Sequence, residues 1–391
     1  MNDHDTKQQI HNTASADQVA YHGTASPLAT FVTYALSSSC LRSILLFKVP
    51  PGEFLQKQTI SSQAPFPTPT MTEFPVSEGE FAWEVPNAGK TCKTWFKILG
   101  DLDSTSGPVL IALHGGPGAG HEYLVPLADL YKPYGIPTIL YDQIGCGRST
   151  HLREKMGDAD FWSFELFIKE LDTLIDHLNL RRRGFFLLGQ SWGGVLAATY
   201  AMSRPEGMSP VGLKKLVIAS GPSSIPLYEK GLEGLLAKLP ADVRKTLEEC
   251  DRRGDHESEE FQKAAKVFNS HYVCGLDPLP EEIMAGFKNM SEDPTVYMTI
   301  QGPAEFVVVG SIKGWEGWTR AHHIGVETLL VNGKTDEVTN LSMYPWFKSI
   351  PKVRWVTLEG SHMSHWEDRE RYMQEVGDFL VSTEPGDRKE L

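Results

Sequence analysis

The chain alternates between short runs that are apolar at every position and longer stretches in which apolar residues recur at helical spacing. VLIAL at 109–113 and PTILY at 137–141 lack the polar alternation of a half-exposed strand, which predicts strands covered on both faces. Thr94–Leu99, the run RGFFLLGQ at 183–190, Leu216–Ala219, TLLV at 328–331 and Val353–Leu358 read as further strands. Between 162 and 180, apolar residues at 164, 166, 167, 168, 171, 174, 175 and 178 keep close to one face of a helix. Strands alternating with helices predict an α/β fold with a mostly parallel, doubly wound sheet. After Ala219 the alternation lapses, and 222–320 is helical in pattern and charged, as expected of a helical cap inserted over the sheet edge. Strand character returns at 328, and a helix closes the chain near Val381. The predicted divisions are therefore 71–221 and 321–391 for the two parts of the core and 222–320 for the cap. Within the cap, EECDRRGDHESEE at 248–260 is expected to be a solvated face or loop.

Residues 1–70 are rich in Ser, Thr, Gln and Pro and are expected to form a disordered extension. Their longest apolar patch, Ile44–Val49, is too short to cross a bilayer, and no basic region or cleavage site marks a secretory signal. A targeting presequence is the alternative reading, against which stand few Arg and no amphipathic period. Composition narrows the partners. With 391 residues, 41% hydrophobic and a formal net charge of −13, the chain suits a large α/β domain with an inserted subdomain. The negative balance disfavours nucleic acid and anionic membranes as partners and tolerates a cationic substrate group. Cysteines at 40, 92, 146, 250 and 274 form no C-x-x-C pair, so neither a disulfide framework nor a zinc site is indicated, and a cytoplasmic location is expected. Sequons at Asn289 and Asn340 are too common by chance to imply secretion. Oligomeric state is left open.

The candidate chemistry starts in RGFFLLGQSWGGVLAA at 183–198, an apolar run, a glycine-flanked serine and then small and apolar residues. Glycines at 189 and 193 around Ser191 fit the G-x-S-x-G elbow, a strained strand-to-helix turn that lifts the serine oxygen above the sheet edge. VLIAL runs directly into HGGPGAG at 114–120, which lacks the Lys-Ser/Thr of a P-loop and the G-x-G-x-x-G spacing of a dinucleotide site. PTILY runs into DQIGCGRST at 142–150 at the same predicted edge. Cys146 in that loop is set aside as a nucleophile, since no pattern puts a base beside it and a small buried thiol is the common case. Asp336 and His362 follow the two late strands, and the order Ser191, Asp336, His362 is that of a Ser-Asp-His triad on a parallel sheet. His365 competes as the base, and His362-x-x-His365 could suggest a metal, but no third ligand completes a zinc site.

Together HGGPG at 114–118, DQIGCGRS at 142–149, GQSWGG at 189–194, TDEVT at 335–339 and GSHMSHWEDRE at 360–370 resemble the proline iminopeptidase family of the α/β-hydrolase superfamily, in particular its tricorn-interacting aminopeptidase branch. The similarity spans about 75–382. It implies an α/β-hydrolase fold with Ser191, Asp336 and His362 as the triad and the backbone N–H groups of Gly116 and Trp192 as the oxyanion hole. QGPAEF at 301–306 is similar to the family segment whose glutamate binds the substrate's free amino terminus, which points to Glu305, with Glu337 as its partner. The resemblance implies no cofactor and no metal. The substrate it implies is a small peptide or amino acid amide with a free amino group, cleaved after proline or another small or apolar residue. The rest of the cap does not match residue by residue, so side-chain preference stays open. Rival readings are an esterase, lactonase or amidase on the same frame, with the two glutamates serving structure, and a catalytically silent binding protein.

Overall fold

Every residue of VLIAL is buried, as its unbroken apolar run requires of a strand in the middle of a sheet. In the computed structural model, which describes residues 74–383 and the backbone of the strand Lys389–Glu390, nine strands form one sheet. They are β1 (Val76–Glu84), β2 (Thr91–Leu99), β3 (Val109–Leu113), β4 (Thr138–Tyr141), β5 (Phe185–Gln190), β6 (Leu213–Ala219), β7 (Glu327–Gly333), β8 (Val353–Leu358) and β9 (Lys389–Glu390). Their spatial order is β1-β2-β4-β3-β5-β6-β7-β8-β9, parallel from β4 onward and antiparallel where β2 meets β1 and β4. The reversal of direction between β4-β3 and β3-β5 is the switch point at which open α/β sheets place their sites. The expected extension at 1–70 lies outside the described residues.

The longer helices are α1 (Phe164–His177), α2 (Trp192–Ala201), α3 (Ile225–Leu236), α4 (Ala241–Arg253), α5 (Glu259–Tyr272), α6 (Glu281–Glu292), α7 (Thr295–Ile300), α8 (Asn340–Ser349) and α9 (Arg369–Val381). Helices α3 to α7 all fall between β6 and β7, where the strand period lapses in the sequence. The charged run at 248–260 joins α4 to α5 and is mostly exposed, with Cys250 as its buried exception. Strand β1 is the element the apolar pattern does not announce. It is an edge strand, its first half largely exposed, so only Phe81 and Trp83 carry the alternation that marks a buried face.

Candidate active site

Ser191 directly follows β5 and caps α2 with φ 58° and ψ −124°, a backbone conformation that side chains rarely adopt. Such strain costs on the order of 1–3 kcal/mol and persists only where the surroundings enforce it. The enforcement here is steric: a Cβ on Gly193 would lie 2.1 Å from the Leu113 carbonyl, and one on Gly189 would lie 1.9 Å from the Gly193 carbonyl. The turn packs so closely on the end of β3 that both flanking positions must be glycine. The N–H of Trp192, the first of α2, has no partner within the helix and can serve an anion beside Ser191, while those of Gly194 and Val195 bond the Ser191 carbonyl. Opposite runs the loop after β3. A Cβ on Gly115 would meet Ser191 Cβ at 2.8 Å, so the backbone of Gly115 and Gly116 passes directly beside the serine.

Asp336 and His362 stand just past β7 and β8, and both are buried. His362 Nδ1 donates to Asp336 Oδ1 at 2.8 Å, while Asp336 Oδ2 accepts from the Ser220 hydroxyl at 2.6 Å. The backbone N–H of Val338 and of Gly333 complete the carboxylate's shell. Burial alone would lower the pKa of His362, but Asp336, Glu337 and Glu305 favour its cation and raise it to about 9.

Glu337, next in sequence to Asp336, is 1% exposed, and its Oε1 lies 3.6 Å from His362 Nε2. Its Oε2 has no hydrogen-bond partner among the described residues. Burial raises the pKa of Glu337, and the neighbouring carboxylates of Glu305 and Asp336 add to the rise against the opposing pull of His362 and of the Tyr228 hydroxyl. Glu305, from the segment after α7, accepts from the Tyr297 hydroxyl at 2.9 Å, and burial raises its pKa as well. A cavity of about 400 Å³ is lined by Ser191, His362, Glu305, Glu337 and Gly116 among others. A second, of about 350 Å³, shares Gly116, Ser191 and Glu305 with the first and adds Trp192. The structure thus brings all seven residues singled out in the sequence to one place.

A family model described as the alpha/beta hydrolase fold matches residues 108–369. The proline iminopeptidase of Heyndrickxia coagulans is 35% identical over 284 residues, 72% of this chain and 93% of that protein. That of Saccharolobus solfataricus is 34% identical over 69% of this chain and 84% of its own length. The chain belongs to the proline iminopeptidase family. Among solved structures, the proline iminopeptidase of Mycobacterium smegmatis matches with a TM-score of 0.68 at 33% identity, over 77% of this chain and 97% of that one. VinJ matches with a TM-score of 0.72 at 36% identity, over 78% and 99%.

Several side chains that hold this family member's site together carry no motif of their own. The Tyr123 hydroxyl accepts from the Gly115 N–H at 2.5 Å and donates to Gln190 Oε1 at 2.7 Å, while Gln190 Nε2 donates to the His362 carbonyl at 3.2 Å. One chain of bonds therefore spaces the glycine loop, the elbow and the histidine loop. Gln143 does the same on the other side, accepting from Trp192 Nε1 at 3.0 Å and donating to the His114 carbonyl at 2.8 Å. The Tyr272 carbonyl, at the end of α5, accepts the N–H of both Glu337 and His362 at 3.1 and 3.2 Å, which ties the segment between β6 and β7 to the loops that carry Asp336 and His362. Gln190 and Gln143 lie inside quoted motifs and could have been found there. Tyr123, Ser220 and Tyr272 could not, since their partners are distant in sequence.

One expectation changes. A base does stand beside Cys146: His114 Nε2 is 3.5 Å from its sulfur. That nitrogen accepts the Gln143 N–H at 3.0 Å, burial lowers the His114 pKa to about 4, and burial also pushes the Cys146 thiol well up, so the pair stays neutral. The thiol remains inert for a reason the sequence did not supply. His365, the competing base, donates to the Tyr123 carbonyl at 3.0 Å, and burial lowers its pKa to about 3. Among the described residues, the most buried grouping able to hold a metal is His121, Glu122 and Asp142, where His121 Nδ1 donates to Asp142 Oδ1 at 2.8 Å and the N–H groups of His121 and Arg148 fill the rest of that carboxylate. Cys92, Cys146, Cys250 and Cys274 are all buried and unpaired, and no described helix is long and apolar enough to cross a membrane.

Proposed function

We propose that the chain is a serine aminopeptidase that releases an N-terminal residue, proline or another small apolar one, from peptides or amino acid amides. One observation carries the reading: a buried carboxylate oxygen, Glu337 Oε2, makes no close hydrogen bond, with only the Tyr228 hydroxyl near enough to favour the carboxylate, and it stands beside a second carboxylate, Glu305, on the wall of the cavity that holds Ser191. A buried acceptor of this kind is costly unless something fills it, and the substrate's ammonium group supplies the missing donors and charge. The names borne by the relatives support the same chemistry.

His362 Nε2 takes the Ser191 proton as the serine oxygen attacks the carbonyl, and Asp336 holds Nδ1–H and balances the imidazolium. The N–H groups of Gly116 and Trp192 receive the oxyanion, a contribution of roughly 3 kcal/mol per donor. The imidazolium gives its proton to the leaving amine, the C–N bond breaks, and water enters by the same route to free the acyl group. The substrate is thus the only partner required, and neither a cofactor nor a metal has a step. A cytoplasmic location fits four buried free thiols.

The test is a panel of prolyl, alanyl and aromatic aminoacyl arylamides run beside Ser191→Ala. Wild type is expected to turn over at least one of the small or apolar members, and the variant to lose about 10⁴-fold or more in kcat. Turnover unchanged in Ser191→Ala would remove the mechanism.

A further inference from the structure

The two cavities differ in the one group that decides which half of the substrate each receives. His362 lines the larger cavity and not the smaller, which is walled by Val195, Ile225, Tyr228, Ile312 and Val338. The leaving nitrogen must collect its proton from His362, so the leaving group extends into the larger cavity and the side chain of the released residue into the smaller. Glu305 lines both, as a group facing the amine between the two halves would, and Glu337 lines the larger one beside it, so the amine sits at the border on the larger cavity's side.

The larger cavity is apolar on the far side of the scissile bond. Helix α6 turns Ile283, Gly286, Phe287 and Met290 toward it, positions at i, i+3, i+4 and i+7 that form one helix face, and Val273 and Met363 line it as well. No Lys or Arg is among the residues lining either cavity. The cation on this helix, Lys288, is on its exposed side and pairs with Glu292 at 3.5 Å. The charged groups that do line the larger cavity are His362, Glu305 and Glu337.

We propose that the His362-side cavity takes an apolar leaving group without a free carboxylate, so that the preferred substrates are aminoacylated apolar amines, amides and longer peptides and not free dipeptides. The α-carboxylate of a dipeptide lies only two bonds beyond the leaving nitrogen, inside this cavity, where it would lose water and face two carboxylates with neither Lys nor Arg to answer it, while His362 must be neutral to act as the base. A longer peptide carries its terminal carboxylate beyond the site, and an amide has none. The inference rests on the aminopeptidase reading.

The experiment compares kcat/KM for Pro-Leu-NH2, Pro-Leu and Pro-Asp-NH2, or the same set on whichever N-terminal residue the arylamide panel favours. The amide of leucine is expected to exceed both the free dipeptide and the aspartyl amide by about 100-fold, the range in which like charges discriminate. Met290→Lys supplies a cation to the cavity and is expected to cut the amide-to-acid ratio by about tenfold or more. That ratio is read within one enzyme, so any loss of folded protein cancels. Arylamide turnover with an amide-to-acid ratio near one, or a ratio that Met290→Lys does not move, overturns this inference and leaves the aminopeptidase reading standing. Absence of turnover on every free aminoacyl arylamide overturns that reading, and this inference with it.

Discussion

His362 is held between opposing effects, and the balance has a measurable consequence. Its burial disfavours the imidazolium, yet Asp336, Glu337 and Glu305 outweigh that and raise its pKa to about 9, so the free enzyme at neutral pH holds the protonated form. A general base must be neutral, so kcat/KM should rise with pH through a limb near 9. A bound ammonium offsets the charge of Glu305 and Glu337, removes part of what favours the imidazolium, and should move the limb of kcat to lower pH than that of kcat/KM. Glu337→Gln should shift the kcat/KM limb down as well, and a profile that keeps its limb in this variant would show that Glu337 does not act on His362. At this scale the sequence was generous. Ser191, Asp336 and His362 each follow a strand, and Glu305 and Glu337 stand in recognisable segments, because motif residues sit where chain direction and chemistry coincide. The unpartnered Oε2 of Glu337 was not legible, since it depends on what fails to approach it in space.

The elements position these residues by close backbone packing. Gly193 is held against the Leu113 carbonyl, where a Cβ would come to 2.1 Å, and no flexible side chain can give way there. Gly193→Ala should therefore destabilise the fold by about 3 kcal/mol or more, at the upper end of overpacking costs, read as a lower midpoint in urea. A midpoint equal to wild type would mean that the elbow can relax. Strand β3 was legible to the residue because it is a short run apolar at every position, and β8 because apolar residues, Val353 and Leu358, mark both of its ends. Strand β1 was not, because an edge strand with one solvated half carries no such run. The bond from Ser220 to Asp336 and the bonds through Tyr123 and Tyr272 were not legible either, since they join segments that only the sheet order brings together.

The sheet and the helices laid on it also enclose a carboxyl that the chemistry does not use. Glu170, on α1, is fully buried, accepts the Ile144 N–H at 2.8 Å and the Thr94 hydroxyl, and so anchors the loop after β4 to the helix layer. Burial raises its pKa from 4.5 to about 8, against the opposing effect of Thr94 and Ile144. The folded molecule therefore keeps a proton that the unfolded chain releases, and this contribution to stability is complete below about pH 4.5 and is lost as pH rises toward 8. Glu170→Gln should flatten that decline, and urea midpoints across the same range that fall equally in wild type and variant would contradict it. The division into a parallel core and a helical segment between β6 and β7 was legible as a change of period along the chain, whereas the two cavities beneath that segment were not, because their walls come from both parts. The central claim is that this molecule directs acyl transfer by Ser191 to substrates with a free amine. It is tested most directly by kcat/KM on one aminoacyl arylamide with its amine free and with the amine acetylated. The account predicts that the free amine is favoured by about 10³-fold, the scale set by desolvated carboxylates left unpaired, and that Glu337→Gln narrows the gap; equal turnover of the two forms would contradict it.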